Sequence, residues 1–418
     1  MVPIAVAGAL CLAPLVTAQG PDEGPARAEL LKIRQTLANV FTTDGAGRAV
    51  AEYDRIAGAH AGSPVAAEAL YYAAETARLA GELDDAIERY HVVAAQYRRS
   101  PFAPRAIVDA AAVYVRRGDP VRAMMLLQEV RRDYAASAEA VRAIEGLTVL
   151  HRLYVRAPDR PAFIYQRAIT GPGGRLRDVR DIGVPPGSEH IMVATRIGVQ
   201  ELDRAGAIVR TIDAPDPKAV VFDPAGHVVT VHDRGTLRAE GRPPLVLSTA
   251  RNDGRLQPID IDAAGTTSGG DMIVANRSQK TLVRFSADGR PRGEIAKAIG
   301  ARRLAVDPSD ELAALDTDAK AIVFLARDGR VLGRLTERGA DYQFRDPVDI
   351  AFDPFGHLYV LDRGRVLVFA PHGERLITTF SVEERAPGAF PNATALALDA
   401  AGRLYLYVER ADAVQVYQ

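Results

Sequence analysis

Pro347-Val348-Asp349-Ile350-Ala351-Phe352-Asp353-Pro354-Phe355-Gly356-His357-Leu358-Tyr359-Val360-Leu361-Asp362-Arg363 reads as an apolar strand, a tight turn and a second apolar strand. At the turn Asp353 can cap the reversing backbone with its carboxylate, Pro354 fixes φ, and Gly356 accepts a left-handed conformation. A third strand, Val366-Leu367-Val368-Phe369, runs into another turn at Ala370-Pro371-His372-Gly373. Related strand–turn copies surround Asp223, Asp262, Asp307 and Asp399. With Asp353, these key aspartates are spaced 39, 45, 46 and 46 residues apart, the length of a four-stranded blade.

A sixth blade precedes them: Val199-Gln200-Glu201-Leu202-Asp203-Arg204-Ala205-Gly206 repeats the third strand, behind a degenerate first turn at Val184 to His190. The last blade stops at its third strand, Val414-Gln415-Val416-Tyr417. Residues 163–169 alternate partly like a strand, so they are expected to supply the missing outer strand and close the ring. The Asp353 copy, with Tyr359-Val360-Leu361-Asp362-Arg363 and Val368-Phe369, resembles the NHL family of six-bladed propellers. That resemblance implies a propeller over residues 162–418 and leaves activity open. The family includes lyases that act on peptide or antibiotic substrates through His, Tyr and acidic residues with metal help. His227 and His357 share a turn position three blades apart, across the ring and too far apart for one metal. They read, with His232 and His372, as turn-surface histidines, so no matching catalytic set emerges.

Upstream, three stretches align at a period of 37 residues: Ala49, Ala86 and Ala123; Tyr53, Tyr90 and Leu127; Ile56, Val93 and Val130; His60, Tyr97 and Tyr134; Ser63, Ser100 and Ser137. The intervals within each stretch place one apolar stripe on the second helix of a hairpin. Ala69, Ala106 and Ala143 mark the first helices, and Gly81 and Gly118 the turns between paired helices. Gly81, Ala86, Tyr90 and Val93 resemble the tetratricopeptide repeat. The turns around Ser63-Pro64 and Ser100-Pro101 are similar to its longer form in periplasmic proteins of the Tol-Pal and outer-membrane-assembly type. Such arrays bind peptides or protein segments on a concave face.

The chain of 418 residues carries 52 Lys+Arg against 53 Asp+Glu, a formal charge of -1 that excludes a globally basic nucleic-acid binder. Residues 1–18 form an uncharged apolar run ending Val16-Thr17-Ala18, which reads as a signal peptide cleaved after Ala18 and too short for a membrane span. Cys11, the single cysteine, follows Leu10, whereas a lipidated cysteine wants a small residue there. No phosphate-binding Gly-rich loop and no Gly-x-Ser-x-Gly elbow is present.

The expected fold class is therefore an α+β multidomain chain: tetratricopeptide-like repeats over 28–156, a linker at 157–161, and an all-β six-bladed propeller. Five arginines at the ends of second strands, Arg196, Arg234, Arg277, Arg363 and Arg410, would ring one mouth and face an anionic group. The plainer alternative is that each pairs with a neighbouring carboxylate. The expected function is a periplasmic or secreted, non-enzymatic scaffold with a protein or peptide partner. No nucleic acid, metal or cofactor is called for, and the oligomeric state is left open. The alternative is a lyase or hydrolase with its active site in the central funnel.

Overall fold

A computed structural model describes residues 23–37, 43–157, 160–250 and 255–418. The expected signal peptide and Cys11, as well as residues 158–159 of the expected linker, lie outside the described residues. Seven helices come first: α1 (Glu23–Leu37), α2 (Thr43–Ala59), α3 (Pro64–Ala80), α4 (Leu83–Gln96), α5 (Phe102–Arg116), α6 (Pro120–Asp133) and α7 (Ala138–Leu150). The apolar stripes of α2, α4 and α6 are buried: Ala49, Tyr53 and Ile56; Ala86, Tyr90 and Val93; Ala123, Leu127 and Val130. Ala69, Ala106 and Ala143 are fully covered, which lets α3, α5 and α7 pack side by side.

The turns follow from their residues. Ser63 Oγ accepts from the Ala66 amide at 3.2 Å and caps α3, with Pro64 in the first turn where its missing N–H costs nothing. Gly81 ends α3 with φ 85°, a conformation that a side chain would strain. After α7 the chain continues through one π-helical turn, His151–Val155, and the described residues hold no second helix for this last hairpin.

Six four-stranded antiparallel sheets follow. Blades 1 to 6 have the inner strands Val179–Gly183, Ala219–Phe222, Ile261–Thr266, Arg303–Val306, Pro347–Phe352 and Ala393–Leu398. In blade 6 the outermost strand is Tyr165–Ile169, paired antiparallel with Ala413–Tyr417, so the two ends of the propeller segment share one sheet. A small hairpin, Ser248–Ala250 with Leu256–Pro258, is inserted between blades 2 and 3.

Blade 3 corrects the sequence reading. Asp262-Ala263-Ala264-Gly265, read above as a turn, lies inside the inner strand Ile261–Thr266. The turn begins at Thr267, whose amide donates to the Asp271 carbonyl at 2.9 Å. Thr267 Oγ1 accepts from the Asp271 amide at 3.1 Å, so a hydroxyl does here what a carboxylate does elsewhere. At Asp353, by comparison, Oδ1 accepts from the amides of Phe355 at 2.9 Å and His357 at 3.1 Å.

Candidate functional site

Turns between first and second strands point to one end of the propeller, and turns between second and third strands to the other. The helical array occupies the first end. Gly146 of α7 lies so close to the blade-5 turn that a Cβ there would come within 2.8 Å of Phe355 Cζ. One hydrophobic cluster runs from Val115, Leu127 and Val149 of the helices into Phe355, Tyr359 and Leu396 of blades 5 and 6. Polar contacts border it. Arg78 of α3 donates to the Pro308 carbonyl at 3.0 Å and to Ser309 Oγ at 2.6 Å in the blade-4 turn. Arg152 donates to the Gly402 carbonyl of the blade-6 turn. The inner side of the array, the face expected to take a peptide, is therefore roofed by the propeller's own turns.

Two of the four histidines read as turn-surface residues, His357 and His372, belong instead to this junction. His357 is fully buried, its Nδ1 2.7 Å from Asp353 Oδ2 and its Nε2 2.7 Å from the Tyr154 hydroxyl of the linking turn. Burial pushes the Tyr154 phenol well above its ordinary value, and the Asp–His–Tyr chain ties the blade-5 turn to the segment that follows α7. His372 sits 2.6 Å from Glu311, which also receives Arg116. Burial opposes ionisation of Glu311, yet its bonds to His372 and Arg116 outweigh that and hold its carboxyl below the usual range. His227 remains exposed beside Asp223, and His232 is buried against Thr230. Sequence reasoning missed the junction because each turn looked solvent-facing when the propeller was read by itself.

The opposite end carries the five arginines. All are exposed, but they do not share one register. Arg196, Arg277 and Arg363 immediately follow the residue that opens the turn, while Arg234 and Arg410 lie one residue further on, in short 3₁₀ turns. Arg277 approaches Asp262 at 3.7 Å, and Asp262 also takes Arg302 at 3.1 Å. Lys218 likewise pairs with Asp233. Carboxylates thus interrupt the mouth, and at the edge of blade 1 Arg175, itself 3.9 Å from Asp412, joins Arg177 and Arg196. There a groove of about 430 Å³ is lined by Arg175, Arg177, Arg196, Leu176, Ile197 and Ile208. Ile197 is 73% exposed, the most exposed large apolar side chain among the described residues.

The central channel encloses about 250 Å³. One ring position of the inner strands carries Asp181, Ala219, Ala263, Arg303, Asp349 and Ala395. Burial and the neighbouring Asp349 push the Asp181 carboxyl up to about 7, with Arg303 pulling the other way. Both carboxylates work as links between blades. Asp181 accepts from the amides of Ile182 at 3.0 Å and Val220 of blade 2 at 2.9 Å. Asp349 accepts from Ile350 at 2.9 Å and Leu396 of blade 6 at 2.8 Å, and Arg303 of blade 4 reaches it at 3.3 Å. No histidine lines this channel. Among the described residues no group of three or more His, Cys, Asp and Glu is placed to hold a metal, and no helix is long and apolar enough to cross a membrane.

No family model matches the sequence, and no curated protein matches it. Among solved structures the chain is similar to a gluconolactonase from Xanthomonas campestris, at 16% identity and TM-score 0.42, covering 62% of this chain and 98% of that chain. It is also similar to the WD40 β-propeller domain of Doa1, at 12% identity and TM-score 0.43, covering 62% and 97%.

Proposed function

We propose that this protein is a non-enzymatic scaffold, exported to the periplasm or secreted, that takes an acidic protein loop or peptide on the propeller end away from the helices. The observation that carries the reading is the groove beside Arg196. Three exposed arginines, Arg175, Arg177 and Arg196, flank an exposed isoleucine, Ile197, with Asp178 the one carboxylate lining it. A cationic rim around an apolar anchor suits an acidic segment with one large apolar side chain. The resemblance of the helices to tetratricopeptide arrays of envelope-assembly proteins, and of the propeller to the NHL family, supports a setting in cell-envelope assembly. A photocrosslinking residue at position 197 is the test, read in intact cells by mass spectrometry. The reading expects a defined adduct that Arg175→Glu with Arg196→Glu abolishes; an adduct unaffected by that pair, or none above an uncrosslinked control, overturns it.

The second reading is a lyase or hydrolase working in the channel, and the high pKa of Asp181 favours it. Against it, both oxygens of Asp181 already accept main-chain N–H groups from two blades.

A further inference from the structure

The helical array ends on an apolar surface. Val141 and Ile144 of α7 are 60% and 51% exposed, and Thr148, His151 and Val155 beyond them are exposed as well. These five residues follow one another at intervals of 3, 4, 3 and 4, the spacing of a seam that meets another helix. The 37-residue period identifies what would meet it. Val141, Ile144 and Thr148 stand where α5 has Pro104, Ile107 and Ala111 and where α3 has Ala67, Leu70 and Ala74. Those six are buried, Leu70 partly. Ile107 and Ala111 share a cluster with Ala123, Leu127 and Val130 of α6, and Ala74 shares one with Ala86, Tyr90 and Val93 of α4. Each earlier first helix is thus covered by the second helix of its own hairpin, and α7 has none among the described residues. Helix α6 changes in the same sense. Its exposed Val121 and Met125 stand where α4 carries Asp84 and Glu88, and Asp84 pairs with Arg117 of the following hairpin. Repeat arrays ordinarily end on a polar face, whereas this one ends on the apolar contacts of a further helix.

The flanks of the seam narrow the occupant. Gly402 of the blade-6 turn lies so close to α7 that a Cβ there would come within 2.6 Å of Val149 Cγ2. Burial raises the Glu145 carboxyl above its ordinary range; Asp399 of blade 6 and Glu189 of blade 1 add to this, and Arg403 and Arg142 oppose it. The propeller therefore borders the flank that carries Glu145 and reaches past it to blade 1. A second copy paired two-fold through its own α7 would turn that same flank toward the first, bringing two propellers into one space. A single helix meets no such conflict. From Pro120 to Arg156 the chain carries six arginines against four carboxylates, and Arg122 and Arg131 of α6 are exposed, which favours an acidic occupant. We propose that the open face of α7 receives an acidic amphipathic helix of a partner protein, seated antiparallel to α7 as the second helix of its hairpin. The array's own α4 has the required pattern: Ala86, Tyr90 and Val93 on the buried stripe, with Asp84, Asp85 and Glu88 against the single Arg89. This face and the groove beside Arg196 are at opposite ends of the propeller, so loss of either leaves the other standing.

The probes are two end-capped, fluorescently labelled peptides with this chain's own sequences, Leu83–Gln96 of α4 and Pro120–Asp133 of α6, titrated with the full chain by anisotropy. Both carry the apolar stripe, but their formal charges are -2 and +1. The expected result is one-site saturation by the α4 peptide, at least fivefold tighter than by the α6 peptide. Ile144→Glu alters an exposed side chain, so it should keep the native melting midpoint while weakening the α4 peptide at least tenfold. Arg175→Glu with Arg196→Glu should leave that affinity unchanged, which separates this face from the groove at the other end. No saturable binding of the α4 peptide, equal affinity for the two peptides, unchanged affinity in Ile144→Glu, or loss in the arginine pair instead overturns the proposal. Sedimentation velocity covers the other occupant: a native dimer that Ile144→Glu converts to monomer would put a second copy on this face and would overturn it too.

Discussion

Asp181 shows how one carboxyl can be structural and still govern a pH response. Its ordinary value of 3.8 is raised to about 7 in the fold, so between those values the native state holds a proton that the unfolded chain has released. Stability from this group is full below about pH 4, falls as pH rises through 7, and is level above. Asp181→Asn keeps an acceptor and removes the charge. It gains from the lost charge at pH 8 but turns an amide NH2 toward one of the two main-chain N–H groups from which Asp181 accepts, so its stability there should stay within about 2 kcal/mol of the native chain. It should also flatten the stability profile between pH 4 and 7. Urea denaturation at several pH values measures both, and an unchanged profile would refute the assignment. Gly146 gives a steric case. An added Cβ would sit 2.8 Å from Phe355 and 3.1 Å from Leu127, so Gly146→Ala should cost about 1–3 kcal/mol, read by thermal melting.

At the scale of elements, the closing strand invites a direct challenge. Ile169 is 2% exposed, opposite Val414, and packs with Leu176, Ile182 and Val416 where blades 6 and 1 meet. Ile169→Asp would bury an unpaired charge there and should cost at least about 3 kcal/mol. It should also expose the edge of Ala413–Tyr417 and promote aggregation, visible as light scattering at temperatures where the native chain stays clear. A soluble variant with an unshifted midpoint would mean that the ring closes otherwise. Legibility in the sequence also differs by element. The helical stripes were readable because burial repeats the same residues at one spacing, as at Ala86, Tyr90 and Val93. Turns were readable where an aspartate caps them and opaque where Thr267 does the same work, which shifted the blade-3 turn to Asp262. The arginine positions could be found from strand ends, but not the extra residue that displaces Arg234 and Arg410. His357 and Arg116 were illegible as partners, because the groups they meet across the junction lie about two hundred residues away in the chain.

For the whole molecule, the shared cluster from Val115 to Leu396 leaves no natural plane along which array and propeller could separate. Two modules joined only by a linker would melt independently; two that share a core should unfold together. Tyrosines lie in both parts, so helix loss is followed by far-ultraviolet circular dichroism and propeller loss by hydrogen–deuterium exchange of the blade strands during the melt. The two curves should coincide in the native protein. Arg116 provides the lever: its side chain joins the end of α5 to Glu311 and approaches Asp307. Arg116→Met leaves those carboxylates buried without their cation, a loss of about 3–5 kcal/mol by analogy with other broken buried pairs. The penalty falls on the junction rather than on either module's own core. The two signals should then separate, with the helices melting first because the array lacks the second helix of its last hairpin and relies on the propeller to cover α7. If the curves stay superimposed in Arg116→Met, the junction is held by its apolar cluster alone. If they are already separate in the native protein, the array and propeller are not one cooperative unit.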